Sequence, residues 1–212
     1  DYAYNRNVKY WEPFKKTKTP LKIINFNFLP NSFSFKNEVA RYKNVRSYRL
    51  PEDFDYTFYD QRFNWDRRYN LQWDFTKGLN FGFNANNQSI IDELRVVGVG
   101  GFKEVQNEYG ETVGSLDDIS QRERTDYMYT NLQQGGRAKD YNHNFTLQYS
   151  LPTRQIKALN WTSLRASYAA DYIWDGASLN VDSLGNVVSN TQSRQLTATL
   201  NFDKLYLKSR YL

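Results

Sequence analysis

The most constraining feature of this 212-residue chain is an alternation of apolar and polar residues with a period of two. Between residues 63 and 75 every odd position but Arg67 is apolar or aromatic, and every even position is polar or charged. The apolar positions are Phe63, Trp65, Tyr69, Leu71, Trp73 and Phe75. Successive side chains of a strand point to opposite faces, so the pattern predicts a strand with one apolar and one polar face.

The run at 79–87 has the same parity and follows a short polar stretch at 76–78. A three-residue loop there pairs Trp73 with Phe81 and keeps all the apolar residues on one face. In this hairpin Gly78 is expected to supply the left-handed conformation that the loop requires.

Two further hairpins are predicted from parity. A four-residue loop, Leu29-Pro30-Asn31-Ser32, joins strands at 22–29 and 32–42 and places Phe28 opposite Phe33.

The strands at 161–175 and 191–203 face each other if their hairpin centres on Ser183. In that register the apolar residues that follow Gly176 would lie on the face opposite the other apolar residues. Gly176 is therefore expected to mark a bulge, unless the hairpin tip is apolar on its other side.

The full pattern predicts an all-β fold, an antiparallel meander of seven or eight long strands. The strands are predicted at 2–11 (the least regular), 22–29, 32–42, 61–75, 79–87, 142–151, 161–175 and 191–203. Connections alternate in length. The shorter ones are expected at 30–31, 76–78 and 152–160, and the longer ones at 43–60, 88–141 and 176–190. Short turns on one side and long loops on the other are typical of outer-membrane barrels.

We therefore expect residues 1–212 to be one segment of a large outer-membrane β-barrel. Residues 1–21 fit the pattern least, and 88–141 is expected to be one long inserted loop with a short helix near 118–134. The chain starts without Met or a signal peptide, which favours a piece of a longer protein.

Composition narrows the possible functions. Aromatic residues make up 17% of the chain, and Tyr and Trp near strand ends are typical of membrane-interface girdles. There is no cysteine and a single histidine, His143, so no thiolate or His-rich metal site is expected and an enzyme is the weakest option. The net charge is +5, but no nucleic-acid-binding motif accompanies the basic residues, and no nucleic-acid partner is expected.

Other candidate sites are weak. The Gly-rich stretch at 98–103 lacks the third glycine of a dinucleotide loop. The acidic pairs at 52–55 and 117–118 lack the spacing of a calcium loop. His143 begins a strand and is expected to be structural. Arg67 interrupts the apolar face and is expected to reach lipid headgroups at its edge. We predict no catalytic, cofactor or metal residues.

In a barrel wall the two faces would meet different surroundings. The predicted lipid-facing residues are Tyr69, Leu71, Trp73, Phe75, Leu79, Phe81 and Phe83. The predicted pore-facing residues are Asn70, Gln72, Asp74, Asn80 and Asn84.

Four stretches of the chain resemble one known family. They are LPNSFSF at 29–35, RRYNLQWDFTKGLNFGFNANN at 67–87 followed by Ile91-Asp92-Glu93, YSLPTRQIKALNW at 149–161, and DSLGNVVSNTQSRQLTATLNFDKLYLKSRYL at 182–212. In this order they are similar to the SprA (Sov) family, the outer-membrane translocons of the type IX secretion system in Bacteroidota.

The resemblance implies a very large single-chain barrel that exports folded proteins across the bacterial outer membrane and supports gliding motility. It implies four kinds of partner: lipid, secreted cargo, an outer-membrane barrel that covers a lateral gate, and periplasmic plug and isomerase-type proteins. Two alternatives stay open: a segment of another outer-membrane barrel, such as a porin or nutrient transporter, and a soluble β-sandwich that binds carbohydrate or protein.

Overall fold

A computed structural model of the chain describes residues 1–17, 20–49, 55–99, 102–179 and 185–207. These residues form ten strands, two α-helices and two short 3₁₀ helices at Pro20–Ile23 and Thr153–Gln155. In chain order the main elements are β1 (Tyr2–Asn5), β2 (Ser32–Arg49), β3 (Asp55–Asp74), β4 (Leu79–Ile90), β5 (Arg95–Val99), β6 (Phe102–Gln106), β7 (Thr112–Ser115), α1 (Gln121–Gln133), β8 (Arg137–Ser150), β9 (Thr162–Asp175), β10 (Val187–Leu200) and α2 (Phe202–Tyr206).

All ten strands lie in one antiparallel sheet, which confirms the predicted all-β meander. Seven strands are neighbours in the order β1-β2-β3-β4-β8-β9-β10, and the short β5–β7 continue from the far end of β3. β1 and β10 are the two edges, and they do not pair with each other within the described residues. The sheet is open.

The hairpin of β3 and β4 has the predicted register. Trp73 lies opposite Phe81, and Leu71 lies opposite Phe83. The role predicted for Gly78 is wrong, because its φ is not positive. The glycine is needed for space instead: a Cβ there would lie 2.5 Å from the backbone oxygen of Ser150.

The predicted first hairpin is wrong. Residues 24–31 form no strand beside β2, and β1 occupies that edge of β2, with Tyr4 opposite Phe33. Long-range hydrogen bonds hold this segment beside the end of β3 instead. The backbone N–H of Asn27 donates to Phe75 O at 2.8 Å. The Trp73 indole donates to Asn27 O at 2.9 Å.

The hairpin of β9 and β10 also differs from the prediction. Leu164 pairs with Ala198 and Asp175 with Val187, so the register centres on position 181 and not on Ser183. The difference is an even number of residues, so the same side chains share a face. No bulge lies at Gly176, whose N–H donates to Lys139 O and continues the register of β8 with β9. The hairpin tip at 180–184 lies outside the described residues.

The connections at 43–60 and 88–141 are mostly ordered structure. β2 extends to residue 49 and β3 begins at residue 55, so the first is far shorter than predicted. The second contains the predicted helix as α1, but β4 extends to Ile90, β8 begins at Arg137, and β5–β7 lie between them. At the other end of the chain, β10 stops at Leu200 because Asn201 caps α2.

The described sheet is a single layer. Elements in extensive contact are neighbours in the sheet, apart from β9 and the 3₁₀ helix that precedes it. The surface area is 15656 Å², whereas a compact protein of this mass exposes about 10,300 Å². Among the residues whose burial the structure describes, five apolar side chains are buried: Phe63, Ala85, Ile91, Val105 and Ala170.

Candidate functional site

One face of the sheet carries a continuous field of aromatic and aliphatic side chains, here called the aromatic face. The strand registers place six of the seven predicted lipid-facing residues on it, next to apolar positions of β8 and β9. The seventh, Phe75, lies just beyond β3 and joins them through ring contacts with Trp73 and Phe81, at centroid distances of 4.4 and 6.1 Å. Ring contacts link neighbouring strands, with centroids 6.4 Å apart for Phe81 and Phe145 and 5.3 Å for Phe145 and Tyr168. Large exposed apolar faces of this kind mark contact surfaces for lipid, protein or ligand.

The opposite face, here called the polar face, is lined by side-chain amides. The registers place all five predicted pore-facing residues on it. Asn70 donates to Asn84 at 2.6 Å, and Asn144 donates to Asp171 at 2.6 Å in the same row across the sheet. A shallow trough of about 480 Å³ crosses this row.

Arg67 is the charged residue that interrupts the aromatic face on β3. Its guanidinium donates to Ser89 Oγ at 2.7 Å and to Gly135 O at 3.1 Å. It also lies over the Trp65 ring, 4.4 Å from the centroid. Polar groups of the chain itself therefore bind this cation, and its expected reach to lipid headgroups stays a prediction.

The aromatic face changes character at the edge strand β10. After Val188 at its start, the residues of β10 on that face are polar at Asn190, Gln192 and Arg194. They become apolar over the second half of the strand, at Leu196, Ala198 and Leu200.

The connection between β4 and β8 is fastened to the sheet at both of its ends. We call residues 91–136 the insert. Ile91 is buried, and its N–H donates to Phe63 O at 2.8 Å. Arg137 binds Asp92 through two hydrogen bonds of 2.9 and 3.0 Å.

A second carboxylate fastens the insert beside the first. Arg41 Nη2 lies 2.8 Å from Glu93 Oε1. The angles of this contact do not suit a hydrogen bond, so the contact is an ion pair. Period-two reasoning missed both pairs. The available signal was the end of the alternation, where Asp92-Glu93 follows an apolar pair.

Within the insert, polar contacts position α1. Ser120 and Glu123 form a capping box at its start, and the hydrogen bonds from Ser120 hold the pKa of the Glu123 carboxyl below its ordinary range. Tyr127 donates to Glu108 at 2.6 Å. Burial, together with this acceptor, raises the pKa of Tyr127 to about 12.

Within the described ranges, the structure does not bring the remaining candidate residues together into one site. His143 lies on the aromatic face and stacks on Tyr172 with centroids 5.1 Å apart. Asp118 accepts a hydrogen bond from Ser115 at 2.6 Å. The glycines at 100–101 and the acidic residues at 52–53 lie outside the described residues.

The described parts of the chain contain no cluster of three or more His, Cys, Asp or Glu residues that would hold a metal ion. They also contain no helix that is long and apolar enough to span a membrane.

Comparison with known proteins finds no family model and no curated protein that matches this chain.

Proposed function

We propose that this chain is a wall segment of a very large outer-membrane β-barrel that conducts proteins, with its aromatic face against lipid and its polar face lining the pore. The observation that carries the proposal is the single-layer sheet, which has an exposed aromatic face opposite an amide-lined face. Water is a poor surrounding for the first face and a good one for the second.

The lengths of the strands support a membrane crossing. A tilted transmembrane strand needs about 9–11 residues. β8, β9 and β10 have 14 residues each, and β3 has 20. Each is long enough to cross the apolar layer and extend beyond it. The tight turn at residues 75–78 would lie on the periplasmic side, and the insert would lie outside the cell.

The polar face suits the passage of polypeptide. Its central row consists mainly of neutral amides, which present both donors and acceptors but little net charge. Proteins of different charge can pass such a surface without strong retention.

The assignment to type IX secretion, and with it gliding motility, rests on the family resemblance described above. The proposed partners are outer-membrane lipid, secreted cargo, a gate-covering barrel and periplasmic plug or isomerase-type proteins. No enzymatic role is proposed.

The soluble β-sandwich is the less favoured alternative. A sandwich buries one face of each sheet against a second sheet, and no second layer covers the aromatic face in the described residues. A porin or nutrient transporter shares the two-faced wall, and the size of the native protein separates it from a translocon.

Fractionation of the native host tests the proposal. An antibody against residues 103–126 should detect a very large protein in the outer-membrane fraction. A band of ordinary porin size in that fraction would favour the porin alternative. A band near 25 kDa in the soluble fraction would contradict the membrane assignment altogether.

A further inference from the structure

A cleft lies between α1 and the aromatic-face side of the β2–β3 hairpin. Arg41 and Lys43 on β2 form one wall, and Gln61 on β3 lies beside them. α1 forms the other wall, and Glu93 lies inside. The cleft has a volume of about 430 Å³. Its lining from α1 is Gln121, Arg124, Thr125, Met128 and Tyr129.

The charges in this cleft are not balanced. Its carboxylate, Glu93, is already paired with Arg41. Across the described ranges, Lys43 and Arg124 form no ion pair, and Arg124 Nε is buried with no hydrogen-bond partner. A buried donor of a charged group that lacks an acceptor is costly. Both carboxylate oxygens of Glu93 also lack a hydrogen-bond partner among the described residues, but Arg41 balances their charge. Lys43 and Arg124 remain without a counter-ion in the described part of the chain, and two such cations give the cleft the composition of an anion site.

The height of the cleft on the barrel wall suggests where the anion comes from. Arg41 pairs with Phe63, which is twelve residues along β3 from the end of the apolar run at Phe75. At about 3.3 Å per residue and about 40° of tilt, this is about 30 Å along the membrane normal. An apolar band is about 25 Å tall, so the cleft lies at the level of the outer-leaflet headgroups.

We propose that Lys43 and Arg124 bind a phosphate group of an outer-leaflet glycolipid, which seats the insert on the membrane surface. A guanidinium binds phosphate through paired N–H donors, and an ammonium adds a point charge. The site faces outward because Arg41 and Lys43 share the aromatic face with Phe33 and Phe35. This inference rests on the proposed function, since it requires the aromatic face to be the lipid side.

Lipid binding to the native protein tests the inference. The protein, purified from the outer membrane, is placed in phosphatidylcholine nanodiscs that contain either lipid A with its phosphates or phosphatase-treated lipid A. Bound lipid A is then counted by native mass spectrometry. We expect preferential binding of the phosphorylated form, and weaker binding as salt is raised.

Substitutions locate the site. The double change Lys43→Gln with Arg124→Gln should lower binding of phosphorylated lipid A about tenfold or more, because two charge-assisted contacts are lost. Arg122→Gln is the matched control. Arg122 is on the same helix, but its side chain is exposed and pairs with Asp126 across 4.0 Å. It should leave binding unchanged. Lys43→Gln alone provides a second variant if the double variant does not fold.

Three results would overturn the inference. They are equal binding by the double variant and the Arg122→Gln control, equal binding of both forms of lipid A, and displacement of the lipid by inorganic phosphate at the same concentration. The last would assign the cleft to free phosphate. A failure of the proposed function gives a different result. If the aromatic face does not meet lipid, an arginine placed on that face is tolerated, whether or not the cleft binds phosphate.

Discussion

Asp92 and Asp126 both pair with arginine, but their surroundings differ. Asp92 is nearly buried and receives two hydrogen bonds from Arg137. Asp126 is 69% exposed and lies 4.0 Å from Arg122. Removing one partner of a buried pair leaves an uncompensated charge, whereas a surface pair contributes little.

Asp92→Ala should therefore loosen the base of the insert by about 1.5–3 kcal/mol, and Asp126→Ala should change stability by less than about 0.5 kcal/mol. The measurement is the free energy of local opening, from hydrogen exchange of the first amides of β8. Equal effects of the two substitutions would show that the Asp92 pair does not fasten the insert.

At the scale of single residues, sequence reasoning separated the two faces but not the polar contacts. Parity places Leu71 and Gln72 on opposite faces whatever the partner strand is. The Asp92–Arg137 pair joins residues 45 positions apart, and nothing local marks such a partner. The same is true of Asn27, whose contacts with distant residues overrode a plausible strand pattern.

Among the elements, α1 was predictable because it begins with a local signal. Ser120 accepts from the Glu123 amide, and the Glu123 side chain accepts from the Ser120 amide. None of the side chains of α1 is fully buried, so its stability depends strongly on this cap. β5, β6 and β7 have only four or five residues each and show no long alternation, which is why the insert was predicted to be a loop.

Ser120→Ala should destabilise the first turn of α1 by about 1 kcal/mol, because an N-cap acceptor is lost. Hydrogen exchange of the amides at 122–124 measures this directly. Thr130→Ala, an exposed change on the same helix, should have little effect. If both substitutions speed exchange equally, the capping box does not control the start of the helix.

The contact between α1 and the β6–β7 turn should respond to alkali. The Tyr127 pKa is raised from 10.0 to about 12, so the folded state favours the neutral phenol. Its stabilising contribution is complete below pH 10 and is lost as pH rises from about 10 to about 12. Protease sensitivity of the insert should increase over that range.

Tyr127→Phe provides the control, because phenylalanine does not ionise. This variant should lose the alkaline step, at the cost of the hydrogen bond to Glu108. A step of unchanged size in the variant would assign the pH dependence to another group.

For the whole molecule, alternation determines register only to within an even number of residues. β3 and β4 were registered correctly because a tight loop allowed one pairing. The predicted register of β9 and β10 differed from the observed one, because several registers that differ by an even number of residues keep the same side chains on one face. Alternation shows which side chains share a face, but it does not show whether the two edge strands pair with each other. The alternation therefore could not predict that the sheet is open.

The central claim is that the two faces of this sheet meet different solvents. Leu71→Arg and Gln72→Arg test it directly, since they place the same charge at neighbouring positions on opposite faces. In the native protein, Leu71→Arg should cost about 2–4 kcal/mol and sharply reduce the amount assembled in the outer membrane, whereas Gln72→Arg should assemble normally. Equal assembly of the two variants would contradict the account.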